Sequence, residues 1–450
     1  MLTDMKSKLV QKYDKVLEIF TDFSEFQKDF LNKYNEIQEL LEAASQDKEG
    51  LPYYKWLNFQ YLHEINQKTI AMAKKIKAKK NIKNIFVIGM GGSGINSLVL
   101  KNGLYEFSNQ KRPYKFLIQN NLDPVSLLAR LDEIDESFHQ TFFVVITKSG
   151  GTDEVRRNLL TILNHAQKKD DFDITQFAEN LLFITEPENP QKENFIHKLR
   201  AEIKELADFD VPYLENDPNI GGRFSMFSPV GMFSAEMMGL DSEALINGAQ
   251  RAFENFKSGN QAFFDLATLD IYLARKSFST RYSMVYADSL EALNKFRAQL
   301  KGESLNKDGI DATIHVPGIG TVNHHSDLEL LLKKNNGVIL EQVFFALPLR
   351  DHQNKASLEA FKDLEGQSNY EALRKNHIEA LANYMLENKA PVIQTILEKQ
   401  DEESIAEFCM QDMLLTVIQA GLQDELGKTE KQDLVIRQWE VERYKKSAKK

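Results

Sequence analysis

With 450 residues, 42% of them hydrophobic and 27% charged, the chain is long enough for two or three domains and has ordinary globular composition, which excludes disorder, collagen-like repeats and low complexity. Asp plus Glu (66) exceed Lys plus Arg (56), and a formal charge of -10 would repel a phosphate backbone, so no nucleic-acid partner is expected. The single cysteine, Cys409, excludes an intramolecular disulfide and a cysteine-rich metal site.

The first residues, MLTDMKSKLVQKYDK, carry charges throughout and lack the apolar core of a signal peptide, and no 18-residue apolar run is apparent. A cytoplasmic protein with no membrane partner is expected. From Lys6 to about Lys80 apolar residues recur at helical spacing (Val10, Tyr13, Val16, Ile19, Phe20, Phe23), which predicts an N-terminal helical region over 1–80. Short apolar runs then alternate with amphipathic ones: NIFVIG (Asn84 to Gly89), KFLIQN (Lys115 to Asn120), TFFVVIT (Thr141 to Thr147) and LLFIT (Leu181 to Thr185). Successive βαβ units produce that alternation, and strands without period-2 polarity belong to a parallel sheet covered on both faces, here a first α/β domain over 81–209. The stretch Asp210 to Gly231 holds three of the 11 prolines and reads as a connector, within a segment over 210–265. A second α/β domain over 266–425 is expected from RYSMVYA (Arg281 to Ala287), DATIHV (Asp311 to Val316) and GVILEQVFFAL (Gly337 to Leu347), with Leu358 to Leu426 mostly helical and a tail over 426–450.

Two strand-to-helix turns in the first domain carry the chemistry. VIGMGGSGINS puts Gly89, Gly91, Gly92, Ser93 and Gly94 between an apolar strand and a helix, where bare backbone can approach an anion and free N–H groups can hold it. The same glycines match G-x-G-x-x-G, but the next strand ends in Asn120 and Asn121, without the acid that a dinucleotide ribose requires. VVITKSGGTDEV repeats the device with Thr147, Lys148, Ser149, Gly150, Gly151 and Thr152, whose hydroxyls and N–H groups suit phosphate oxygens. Two neighbouring cradles point to a sugar phosphate, and the absence of G-x-x-x-x-G-K-[ST] argues against an NTPase.

From Gly89 to Lys445 the chain resembles the glucose-6-phosphate isomerase family, in its shorter bacterial form. GMGGSG and TKSGGTDE look like the family's phosphate-binding turns, and IGGRFS (Ile220 to Ser225) like its VGGR[FY]S segment. QLKGESLNK (Gln299 to Lys307) is similar to a QLFGESEGK-type segment, GTVNHHSDLEL (Gly320 to Leu330) to GTDLHS, and QWEVERYKK (Gln438 to Lys446) to Q-x-G-V-E-x-Y-K-K. The chain departs from the pattern at Asn306, Ile436, Arg437 and Glu440 and offers two histidines where the family has one.

The resemblance implies an α/β fold of two sugar-isomerase (SIS-type) domains with parallel sheets flanked by helices, plus N- and C-terminal helical regions. It implies reversible isomerisation of D-glucose 6-phosphate and D-fructose 6-phosphate through an enediol, in glycolysis and gluconeogenesis, without cofactor or metal. It assigns proton transfer between C1 and C2 to Glu303, since a carboxylate can take and return a proton. Arg223 would offset charge on the enediol oxygens, and His325 with Lys445 would open the sugar ring. Counting back from Ser326 selects His325, and leaves His324 and His315 structural. Gly92, Ser93, Thr147, Lys148, Ser149, Thr152, Gly222, Gln299 and Gln438 would bind the substrate and its phosphate. The resemblance further implies a homodimer in which His325 reaches the partner's site. A noncatalytic sugar-phosphate sensor on the same domains, or an isomerase that also accepts mannose 6-phosphate, are the alternatives.

Overall fold

The computed structural model describes residues 6–46, 52–79, 81–107, 112–305, 313–333, 337–347, 349, 359–361 and 369–425. The strands in chain order are β1 (Leu9–Lys12), β2 (Asn84–Gly89), β3 (Lys115–Gln119), β4 (Thr141–Ile146), β5 (Leu181–Thr185), β6 (Tyr213–Glu215), β7 (Thr280–Val285), β8 (Ile314–Ile319), β9 (Val338–Phe345) and β10 (Val392–Leu397). The chain divides into two compact units, Ala43–Glu243 and Met1–Glu42 with Ala244–Lys450, and each holds one five-stranded sheet.

In the unit Ala43–Glu243 the strand order is β3-β2-β4-β5-β6, all parallel. β2, β4 and β5 are buried along their whole length, which explains their unbroken apolar sequences. On one face Phe86, Ile88, Phe143, Val145 and Phe183 pack with Leu127, Leu159, Ile162 and Ile196 of the covering helices. The chain order reverses between β2 and β4, so their carboxyl ends flank the crevice where open parallel sheets seat ligands. β6 lies inside the expected connector. It is only three residues long and lacks an apolar run of its own, pairing at the sheet edge with β5.

In the second unit the order is β1-β10-β9-β7-β8, parallel except for β1, which pairs antiparallel with β10. Three local expectations are corrected. Leu9–Lys12 is an edge strand, not helix, and β10 interrupts the region read as helical after Leu358. β8 runs to Ile319 through Pro317 and Gly318; among the described residues it is the outermost strand, with no strand partner on one side, so the missing proline N–H costs no ladder bond there. The helix Glu402–Ala420 is buried on nearly all sides. Together with the following turn it is long and apolar enough to cross a membrane, yet 94% of its most apolar stretch is buried inside the protein, as in a central core helix.

Beneath β7 and β9 the second unit buries six charged side chains, Asp270, Arg281, Arg297, Lys301, Glu341 and Asp412, none more than 5% exposed. Arg297 Nη2 donates to Glu341 Oε1 (2.8 Å) and its Nε to Asp412 Oδ2 (2.5 Å), while Arg281 pairs with Asp270. Three cations against three anions leave the cluster neutral overall. Burial opposes Glu341 ionisation, but Arg297 and Arg281 overcome it and hold its carboxyl at about 2. Burial first, then Arg281 and Arg297, brings the Lys301 ammonium down to about 8. The ring nitrogens of His315 are buried without a hydrogen-bond partner among the described residues; burial and the nearby Arg281, Lys301 and Arg297 hold its pKa well below the usual value, so it stays neutral.

Candidate functional site

Gly91, in the left-handed region (φ 55°), turns the chain from β2 into the helix Gly92–Leu100. A Cβ on residue 92 would collide with the Gly222 carbonyl and stand 2.8 Å from the Arg223 nitrogen, so only glycine lets this turn meet the GGRFS segment. Asn96 Nδ2 donates to Ser225 Oγ (3.0 Å), whose hydroxyl donates to the Gly222 carbonyl (2.6 Å). At the next residue, the Ser97 and Ser234 hydroxyls lie 2.8 Å apart. Two motifs about 130 residues apart in sequence are therefore locked together, with Ser93 half-buried at their junction. Arg223 is 3% exposed and its guanidinium lies over the Phe224 ring, which stacks on Trp56 at 5.1 Å.

The second turn follows β4, whose Ile146 is in register with Gly89. Thr147 donates from Oγ1 to Thr152 Oγ1 (3.4 Å), and Ser149 Oγ accepts from the Gly151 N–H (3.4 Å). Gly150 has φ 68°, and any side chain there would strike Asn194, whose Nδ2 donates to Thr185 Oγ1 (3.0 Å). The Lys148 carbonyl accepts from the Glu186 N–H (2.9 Å) and Thr185 Oγ1 (3.0 Å), so β5 fixes the turn from the other side. Burial lowers the Lys148 pKa; Glu186 and Asp217 oppose that, whereas Lys192 and Arg223 add to it. Cations held this close suit an incoming phosphate. Asn194 and Glu186 follow the LLFIT strand and carry no turn motif, which is why sequence reading passes over them. Their signal is position alone, beyond the carboxyl end of a central parallel strand.

Thr152 occupies the N-cap of the helix Asp153–Ala166 but makes no side-chain cap hydrogen bond. Its hydroxyl is therefore not committed to the backbone as a helix-capping role would require. Thr152→Val should weaken binding of a phosphorylated ligand by about 1.5–3 kcal/mol, one hydrogen bond to a charged group. Unchanged affinity in calorimetry would exclude Thr152 from phosphate binding.

In the second unit the helix Glu291–Ser304 carries Gln299 and Glu303 on successive turns, and Gln299 Nε2 donates to Glu303 Oε1 (3.0 Å). Arg297 and Lys301, on the same helix, point into the buried charge cluster and anchor it. The helix runs antiparallel to the strands beneath it. Asn294 Nδ2 reaches the Ser283 (2.6 Å) and Gly318 carbonyls, whereas Lys301, two turns later, is beside Arg281 and His315 near the strand starts. Glu303 therefore lies at the amino ends of β7 and β8. His325 lies past the carboxyl end of β8, in the short turn Val322–His325, and is exposed. The length of β8, roughly 17–20 Å for six residues, thus lies between the levels of the two along one chain. His324 is half-buried, 3.0 Å from the Tyr286 hydroxyl. Lys445, Gln438 and the departures at Asn306, Ile436, Arg437 and Glu440 lie outside the described residues.

These features define an α/β protein of two wound sheets, the first with paired glycine turns at its switch point. The phosphoglucose isomerase family model matches residues 53–322, and the chain belongs to that family. Glucose-6-phosphate isomerase of Rubrobacter xylanophilus is 33% identical over 288 residues, 62% of each chain. The match thus spans less than two thirds of that relative's length. A probable glucose-6-phosphate isomerase of Methanococcus maripaludis is 26% identical across 93% of this chain and 90% of its own. The crystal structure of a hypothetical protein from Thermus thermophilus shares the fold, with a TM-score of 0.79, 21% identity and coverage of 98% and 99%.

Proposed function

We propose that this protein interconverts D-glucose 6-phosphate and D-fructose 6-phosphate, as its family membership implies, and so serves glycolysis and gluconeogenesis in the cytoplasm. The observation that carries the reading is the close approach of Gly92 to Gly222, which brings Arg223 beside two hydroxyl-bearing turns at a sheet switch point. Ser93, Thr147, Lys148, Ser149 and Thr152 bind the phosphate, with Gly92 and Gly222 giving it room and Gln299 and Gln438 assisting. Glu303 takes the C2 proton and returns it to C1, Arg223 offsets charge on the enediol oxygens, and His325 with Lys445 opens the ring. The test is a coupled assay with fructose 6-phosphate after EDTA treatment and without nucleotide, where turnover is expected. Ligand binding without turnover on either hexose phosphate would leave a sensor instead.

The opposite placement of Glu303 and His325 on one sheet supports a homodimer in which His325 serves the partner's site. Mixing Glu303→Gln with His325→Ala protein should then yield mixed dimers with one intact and one doubly damaged site. Random pairing makes half the dimers mixed, so activity should recover to about a quarter of wild type. No recovery, with mixed dimers confirmed by mass spectrometry, would place both residues in one subunit's site.

A further inference from the structure

The turn after β8 carries two adjacent histidines whose surroundings differ. His324 packs edge-on against Tyr286, with ring centroids 5.8 Å apart at 78°, and 5.7 Å from His377. Its Nε2 lies 3.0 Å from the Tyr286 hydroxyl oxygen. Behind Tyr286 stands Gln342, fully buried in β9. Gln342 Nε2 lies 2.9 Å from the Ile378 carbonyl oxygen, which can only accept, so the amide nitrogen is fixed on that side. Its other hydrogen points to the Tyr286 oxygen at 3.2 Å, and its Oε1 accepts from Gln394 Nε2 at 2.9 Å. The Tyr286 oxygen thus accepts from Gln342, and among the described residues its own hydrogen has one acceptor, His324 Nε2. His324 is left neutral, with its proton on Nδ1. Burial, and next to it His377 and His325, lower its pKa in the same direction.

The other side of the turn is held independently. Asn323 Oδ1 accepts from the Ile319 N–H (2.7 Å), its Nδ2 donates to Asp327 Oδ2 (2.6 Å), and the Tyr282 hydroxyl donates to that same carboxylate. Between these two anchors His325 is the exposed member of the pair.

We propose that Gln342, Tyr286 and His324 form a positioning chain that fixes the turn Val322–His325 and sets the place of His325 for ring opening, while His324 transfers no proton. The proposal rests on the ring-opening role given above to His325. Ring opening alone can be read in the Glu303→Gln protein, where the C1–C2 proton transfer is removed, as exchange between α and β anomers of glucose 6-phosphate followed by magnetisation transfer. In that background Tyr286→Phe is expected to slow catalysed anomer exchange by between about tenfold and a hundredfold, the scale of a displaced reacting group, with phosphate-ligand affinity unchanged. His324→Leu should do the same, and His324→Gln, whose side-chain oxygen can still accept from Tyr286, should recover part of the rate. In the ¹⁵N spectrum of the unaltered protein His324 should show an unprotonated Nε2. A protonated Nε2, or an exchange rate unmoved by Tyr286→Phe while His325→Ala abolishes it, overturns the proposal. If His325→Ala also leaves exchange intact, the ring-opening role of His325 fails, and the positioning chain falls with it.

Discussion

Glu303→Gln is expected to lower turnover by ~10²- to 10⁴-fold, the usual worth of a positioned general base, and to abolish exchange of the C2 proton with solvent. Glu303 sits on the last turn of the helix Glu291–Ser304, and its Oε1 accepts from Gln299 Nε2 at 3.0 Å. An amide keeps that oxygen and the length of the side chain, so the hydrogen bond and the local shape survive the change. What it loses is a site for a proton. Affinity for a phosphorylated inhibitor should therefore stay nearly constant while the chemical step fails, a split that a misfolded helix would not give. Activity above roughly a tenth of wild type would assign the proton transfer to another group. The comparison is cleanest with tritium or deuterium wash-in at C2, because it reports the proton abstraction even when overall turnover is limited by ring opening.

The strands that end in glycine turns are legible in the sequence because two independent signals coincide there, an unbroken apolar run and bare backbone just after it. Gly92 and Gly150 illustrate the point: each is required by a close approach, to Gly222 and to Asn194 respectively. The partners of those approaches are not legible, since each is a tertiary contact with a segment that looks ordinary by itself. β1, at four residues, and β6, at three, are too short to show any period, and their strand character comes from the neighbour that pairs with them. In β8, Pro317 reads as a terminator, and only the strand's place at the sheet edge makes it tolerable. Within the candidate site, residue types at Glu303 and Arg223 and the hydroxyl-rich turns are readable, but the supports are not. The exception that could have been read is VILEQVFF: Glu341 and Gln342 are polar residues in a strand otherwise suited to complete burial, and both prove to be buried and bonded. Polar side chains in a central parallel strand demand partners, so they mark a network even before its members are known.

The largest stability effect is expected from Asp412→Ala. Asp412, 4% exposed on the helix Glu402–Ala420, accepts from Arg297 Nε at 2.5 Å and Nη2 at 3.4 Å. Removing one partner of a buried pair leaves the other charge in a medium that cannot solvate it, a loss of about 3–5 kcal/mol, whereas an exposed helix pair such as Lys295–Glu291 contributes less than about 1 kcal/mol. Urea unfolding followed by far-UV circular dichroism should show the Asp412→Ala transition at much lower denaturant and the Lys295→Ala transition nearly unmoved. A loss below about 1 kcal/mol for Asp412→Ala would mean that Glu341 alone holds Arg297. The same cluster predicts a pH dependence. Glu341, held at about 2 against an ordinary 4.5, binds its proton less readily folded than unfolded. Its contribution is therefore fully present above about 4.5 and is lost as pH falls from there towards 2. Because Arg297 and Lys301 lie on the helix that carries Glu303, loosening the cluster should also cost turnover before the unit unfolds. Partial loss of activity in Asp412→Ala at temperatures where its circular dichroism is still native would show that the buried charges position Glu303 as well as stabilise the unit beneath it.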